Sequence, residues 1–146
     1  MPDIRQIAAD ETHPLRRAVL RDGHADAVVQ FPEDDDPATF HLGAQRDGQV
    51  VAVATFSPAE TRFRSGVRAW QLRGMAVDPA HQGQGLGALV VAAAVDRIRA
   101  EGAHVLWCNA RDTALGFYDG LGFIVHGEGF VTEATGLPHH VMILDL

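Results

Sequence analysis

A chain of 146 residues has room for a single domain with one core, expected to span residues 1–146. Its 47% hydrophobic and 21% charged residues are the balance of a soluble globular protein, and no apolar run approaches the ~20 residues needed to span a bilayer. A net charge of −7 argues against nucleic-acid binding, and a lone cysteine, Cys108, excludes an internal disulfide.

The N-terminus, Met1-Pro2-Asp3-Ile4-Arg5, lacks the apolar core of a signal peptide, so the expected compartment is the cytoplasm. Asp10 to Gly23 has helical spacing at Leu15, Val19 and Leu20. An acidic loop bracketed by prolines follows, Phe31 to Pro37, whose Glu33–Asp36 run reads as a solvated segment that could draw a cationic amine. Phe40–Gln45 and Gln49–Phe56 read as two strands around Arg46-Asp47-Gly48, a hairpin signal. Ala69 to Val77 is the next strand. Its apolar alternation changes phase, from Trp70 and Leu72 to Met75 and Val77, which requires an extra residue near Arg73-Gly74.

After a glycine-rich turn, Leu86 to Glu101 is expected to be a buried helix, apolar at Leu89, Val90, Val91, Val95 and Ile98, with Gly102 as its stop. Ala103 to Asn109 would be a buried strand parallel to the bulged one. Asp112 could cap a short helix through Tyr118, and Phe123–Phe130 and His139–Leu146 read as two final strands. The pattern is a mixed α/β domain, and no Cys/His spacing suggests a metal site.

The chemistry concentrates in Gln82-Gly83-Gln84-Gly85-Leu86-Gly87. Glycines let a backbone approach a ligand closely, and the helix N-terminus behind them offers unpaired N–H donors, a combination suited to a pyrophosphate. A Walker loop would need Gly-Lys-Ser/Thr, which is absent. The dinucleotide fingerprint matches at Gly83, Gly85 and Ala88, but a hairpin precedes it and too little chain follows for a doubly wound sheet.

Gln82-x-x-Gly85-x-Gly87, set between Leu72–Pro79 and the later Asn109, Phe117-Tyr118 and Leu121-Gly122-Phe123, resembles motif A and its surroundings in the GNAT superfamily of N-acetyltransferases. The likeness runs from about Phe40 to the C-terminus. It implies a central sheet splayed at the bulged strand and flanked by helices, and an acyltransferase that takes acetyl-CoA as co-substrate without a metal. By the same resemblance, Met75, Ala76 and Val77 pair with the pantetheine, the N–H groups from Gly83 to Ala88 (with Gln82, Gln84, Leu86 and Gly87) take the pyrophosphate, and Asn109 and Phe117 contact the donor. Tyr118, the only tyrosine, would be the general acid that protonates the departing thiolate.

The acceptor implied is a small-molecule or peptide amine. A base for it is open among Glu60, His41, Glu128, Glu133, His139 and His140, with Glu128 and Glu133 placed in the loop region between the last two strands. Two other functions remain: a non-catalytic acyl-CoA sensor on the same fold, and a nucleotide-dependent oxidoreductase. Homodimers are common in the family, but nothing in the sequence signals one.

Overall fold

The computed structural model describes residues 2–146. Seven strands form one mixed sheet in the order β1-β2-β3-β4-β5-β7-β6. They are β1 (Asp3–Ile7), β2 (Phe40–Arg46), β3 (Gln49–Pro58), β4 (Ala69–Val77), β5 (Val105–Arg111), β6 (Ile124–Val131) and β7 (Pro138–Asp145). The helices are α1 (His13–Leu15), set between a 3-10 turn over Ala9–Thr12 and a π turn over Arg16–Leu20, then α2 (Leu86–Ala100) and α3 (Leu115–Gly120). By contacts the chain divides into two compact units. One is the chain through Ser57 with Arg73–Arg97, the other Pro58–Leu72 with Ile98–Leu146.

In the first unit, β2 and β3 pair antiparallel, and Asp47 and Gly48 both adopt positive φ (50° and 78°). That is the conformation a two-residue hairpin turn demands and Asp-Gly supplies at low strain. β1, which the sequence did not reveal, pairs with β2 from Asp3↔Gln45 to Ile7↔His41. Its segment is polar at three of five positions and only Ile7 is buried, so it carries little apolar pattern of its own. The core gathers Ile7, Leu15, Val53 and Ala76, with Val19, Leu20 and Val50 against them. Phe40 and Phe56 stack at 5.2 Å, and Arg97 lies over Phe40 at 3.9 Å while donating to Gln6 Oε1.

α2 differs from expectation. Leu86, Val90, Val91, Ala94, Val95 and Ile98 are buried, but Leu89 is 36% exposed and Ala92 also faces outward. The helix is therefore one-sided. Alanine at three consecutive positions, Ala92–Ala94, fits a buried or an open surface equally, so composition alone overstated its burial. Gly102, at φ +86°, ends the helix as anticipated.

In the second unit, β4 lies parallel to β5 from Ala69↔Val105 to Leu72↔Cys108, where the register ends, one residue before Arg73-Gly74. Gly74 itself has φ +63°, a left-handed conformation that marks the phase change read from the sequence. β7 pairs antiparallel with β5 along seven residues, and β6 pairs with β7 through a bulge between His126 and Phe130. Phe63, Val67, Trp107 and Val141 cover the cluster of Ala69, Val105 and Ile143, and the Trp107 indole donates to the Ala59 carbonyl at 2.8 Å.

Candidate acyl-donor site

Within the first unit, β4 leads through Asp78 and a 3-10 turn (Pro79–His81) into the glycine loop. The Asp78 carboxylate accepts from Ala80 N–H and its own N–H donates to Val51 O, so the entry to the loop is fixed at both ends. Gln82 turns back and donates its amide to the Val77 carbonyl at 3.3 Å, tying the loop to the end of β4. Gly83 and Gly85 adopt φ +79° and +77°, and a Cβ at either would meet nothing within 4 Å. These glycines therefore answer a backbone requirement, and the space in front of them is open. The first i→i−4 bond of α2 runs from Leu89 N–H to Gly85 O at 3.1 Å. The N–H groups of Leu86, Gly87 and Ala88 precede it and are the orphan donors of the first turn. An exposed glycine loop opening onto unpaired donors is the arrangement a diphosphate needs. Met75 and Val77 are half-buried, and Ala76 is buried in the core.

Within the second unit, Tyr118 on α3 is 5% exposed, with its ring edge-on to Phe117 at 4.9 Å and to Phe123 at 5.3 Å. Burial, and secondarily the neighbouring Cys108 thiol, push its phenol well above the ordinary value, with no hydrogen bond contributing. Cys108 is buried on the same face of β5, and burial pushes its thiol up to about 12. An inert, protonated structural thiol is what such a group amounts to. Asn109, the next residue, is exposed on the opposite face of the strand, so Asn109 and Tyr118 flank β5 from different sides. Phe117 is 38% exposed.

The chain as a whole has counterparts in known proteins. The Acetyltransferase (GNAT) family profile matches residues 2–123. The chain belongs to that family. Among curated relatives, the uncharacterised N-acetyltransferase YitI of Bacillus subtilis is 29% identical over 143 residues, covering 98% of this chain and 95% of YitI. Among solved structures, an aminoglycoside 6'-N-acetyltransferase complexed with coenzyme A superposes with a TM-score of 0.76 at 12% identity, covering 98% of this chain and 96% of that one. Escherichia coli ElaA does so with a TM-score of 0.76 at 16% identity, covering 98% and 99%. At these identities the solved structures establish the fold. Acetyl-CoA is the co-substrate of GNAT acetyltransferases, and the open loop with its first-turn donors fits the diphosphate of that molecule. Among the described residues no group of three or more His, Cys, Asp or Glu is arranged to hold a metal, and no helix is long and apolar enough to cross a membrane.

The structure sorts the candidate bases of this GNAT chain. His41 is buried, with Nδ1 2.7 Å from Thr55 Oγ1 and Nε2 3.4 Å from the Asp34 carbonyl; burial, against the pull of Asp34, holds its pKa below the ordinary value. His139 and His140 face opposite ways on β7, as alternation requires. His139 is buried, bonded to the Leu137 carbonyl and stacked on Phe130. The His140 Nδ1 meets the Asp112 carboxylate at 2.6 Å. Asp112 is therefore not the helix cap expected of it, since no side chain caps that turn. Glu128 lies inside β6, at its bulge, and not in the loop that follows; Glu133 is in the loop and Glu60 borders an open surface pocket of about 440 Å³ with Val67, Arg68 and Trp70.

The acidic loop is not uniformly solvated. Arg16, 1% exposed, meets both oxygens of Asp34 at 2.7 and 3.0 Å, and also donates to Val29 O and Thr55 Oγ1. Glu33 approaches Arg73 at 3.5 Å, while Asp35 and Asp36 are exposed. Arg16 and Phe31 are the residues that sequence reasoning missed. An arginine in a short helical segment reads as a surface residue, because arginine is rarely buried without a partner distant in sequence.

Proposed function

We propose that this chain transfers an acetyl group from acetyl-CoA to a primary amine by direct attack in a ternary complex. The neutral amine forms the new C–N bond at the thioester carbonyl, the C–S bond breaks, and the Tyr118 phenol gives its proton to the departing thiolate. The amine's own proton passes to a base or through water to solvent. Tyr118 is the observation that carries this reading. It is a phenol buried on α3, and burial raises its pKa, so it stays protonated at neutral pH and able to donate. A pure acyl-CoA sensor has no use for such a donor.

Free-thiol detection across a panel of polyamines, aminoglycosides, amino acids and peptides with free N-termini tests it. Release of coenzyme A that depends on the amine is expected. Acetyl-CoA binding with no amine-stimulated release would instead favour the sensor.

The donor half of the proposal has its own consequence. Gly85→Ala meets no neighbour, so its effect falls on backbone conformation alone. Tilting one N–H away from a diphosphate loses a charge-assisted bond, so KM for acetyl-CoA should rise about tenfold or more, and the strain of a Cβ at this positive φ, about 1–2 kcal/mol, should lower the melting temperature by only a few degrees. An unchanged KM would place the diphosphate elsewhere.

A further inference from the structure

A chain segment distant in sequence from the glycine loop closes over β4 at Gly74. Gly74, at φ +63°, has no side chain, and the space its Cβ would enter is filled by the ring of Phe31: Cε2 would lie 2.8 Å and Cζ 3.2 Å away. The next nearest atom is Arg16 Nε, at 3.2 Å. The guanidinium of Arg16 lies over the Phe31 ring, 3.8 Å from its centroid. The ring is held from both directions along the chain. Arg16 binds the Val29 carbonyl two residues before it, and the Phe31 N–H donates to Asp34 Oδ2 at 3.0 Å. Asp34 in turn is paired to Arg16. Phe31 is thus a rigid aromatic wall, braced by a buried ion pair and pressed against a glycine.

The direction of the donor follows from chain order, and the inference rests on the donor reading above. If the diphosphate sits on Gly83–Ala88 and the pantetheine runs back along Val77, Ala76 and Met75, the acyl end arrives at Gly74. We infer that Phe31 is a specificity-determining residue that closes the acyl end of the donor site and restricts the chain to acetyl and similarly short acyl groups. A flexible side chain could swing aside for a longer acyl group. A ring held between a buried guanidinium and a backbone glycine must give up its stacking on Arg16 to do so. Each further methylene then meets a closed wall, and a fitted apolar pocket discriminates by about tenfold or more per methylene.

Calorimetric titration of the full chain with acetyl-CoA, butyryl-CoA and hexanoyl-CoA reads this without any acceptor. Wild type should bind acetyl-CoA most tightly. In Phe31→Ala the butyryl-to-acetyl affinity ratio should rise by at least about tenfold, with the hexanoyl ratio rising further. A Phe31→Ala protein that still binds acetyl-CoA and shifts the ratio by less than about threefold overturns the inference. Should the alanine variant fail to fold in a thermal melt, Phe31→Leu keeps an apolar side chain on Arg16 and should move the ratio the same way; no movement there overturns it equally. A wild-type protein that binds none of the three esters overturns the donor reading together with this one. Failure of the inference alone leaves acetyl-CoA binding intact.

Discussion

Tyr118→Phe is expected to lower kcat by about 10²- to 10⁴-fold with KM for acetyl-CoA unchanged, the range that loss of a positioned proton donor produces. Phenylalanine keeps the edge contacts with Phe117 and Phe123. The variant should therefore melt close to wild type, which separates catalysis from packing. Wild-type turnover should show no loss of the acid up to about pH 10, because burial and Cys108 raise the phenol above its ordinary value. Equal turnover of the two proteins from pH 6 to 10 would remove Tyr118 from the mechanism. The same shifts carry a stability consequence. A group whose folded pKa is raised contributes stability that is complete below its unfolded value and is lost as pH rises through the folded one. For Cys108 that window runs from about 9 to about 12, and for Tyr118 it opens near 10. Denaturant midpoints should hold steady to pH 9 and fall above it.

What the sequence displays and what it conceals divide by the range of the interactions involved. The Asp47-Gly48 turn, the break at Arg73-Gly74 and the stop at Gly102 were legible because each is written in a backbone conformation that adjacent residues reveal. β4 was read with its observed limits, since its alternation and its interruption lie within nine residues. β1 was not, because its place depends on pairing with β2 some forty residues later, and polar residues at an edge carry no period. Asp112 shows the same limit in miniature. Its position before a helix suggests a cap, yet a histidine 28 residues away takes its carboxylate. The glycine loop and Tyr118 stand out within one contiguous stretch, whereas Phe31 gains its meaning only from Arg16 and Gly74, fifteen residues before it and forty-three after.

Removing the Asp34 carboxylate should be the most damaging single change in the first unit. Asp34→Ala would leave the Arg16 guanidinium, 1% exposed, with Val29 O and Thr55 Oγ1 as acceptors but no counter-charge. Breaking one side of a buried pair costs about 3–5 kcal/mol, much of it the burial of the orphaned charge. In a chain of this size that is a fall in melting temperature on the order of 10 °C. Asp34→Asn keeps an acceptor for Arg16 and should fall by less, whereas replacing both Arg16 and Asp34 with apolar residues should recover much of the loss, since no charge is then stranded. Acid should reproduce the effect without a mutation. Burial pushes the Asp34 carboxyl up, but hydrogen bonds from Arg16 and the Phe31 N–H, with the charges of Arg16 and His41, outweigh it and hold the group below 3.8. A depressed carboxyl contributes stability above its unfolded pKa that is lost as pH falls through the folded one, so this share disappears below about pH 4. His41 acts earlier: burial lowers its pKa from 6.5, so the unfolded chain takes up a proton first and stability declines as pH drops below that value. Wild type should therefore lose stability in two stages on acidification, below about 6.5 and again below about 4, and Asp34→Ala should lack the second contribution from this site. Equal melting temperatures for wild type and Asp34→Ala at pH 7 would mean that the Arg16 charge finds water, and that the brace behind Phe31 is far looser than its distances imply.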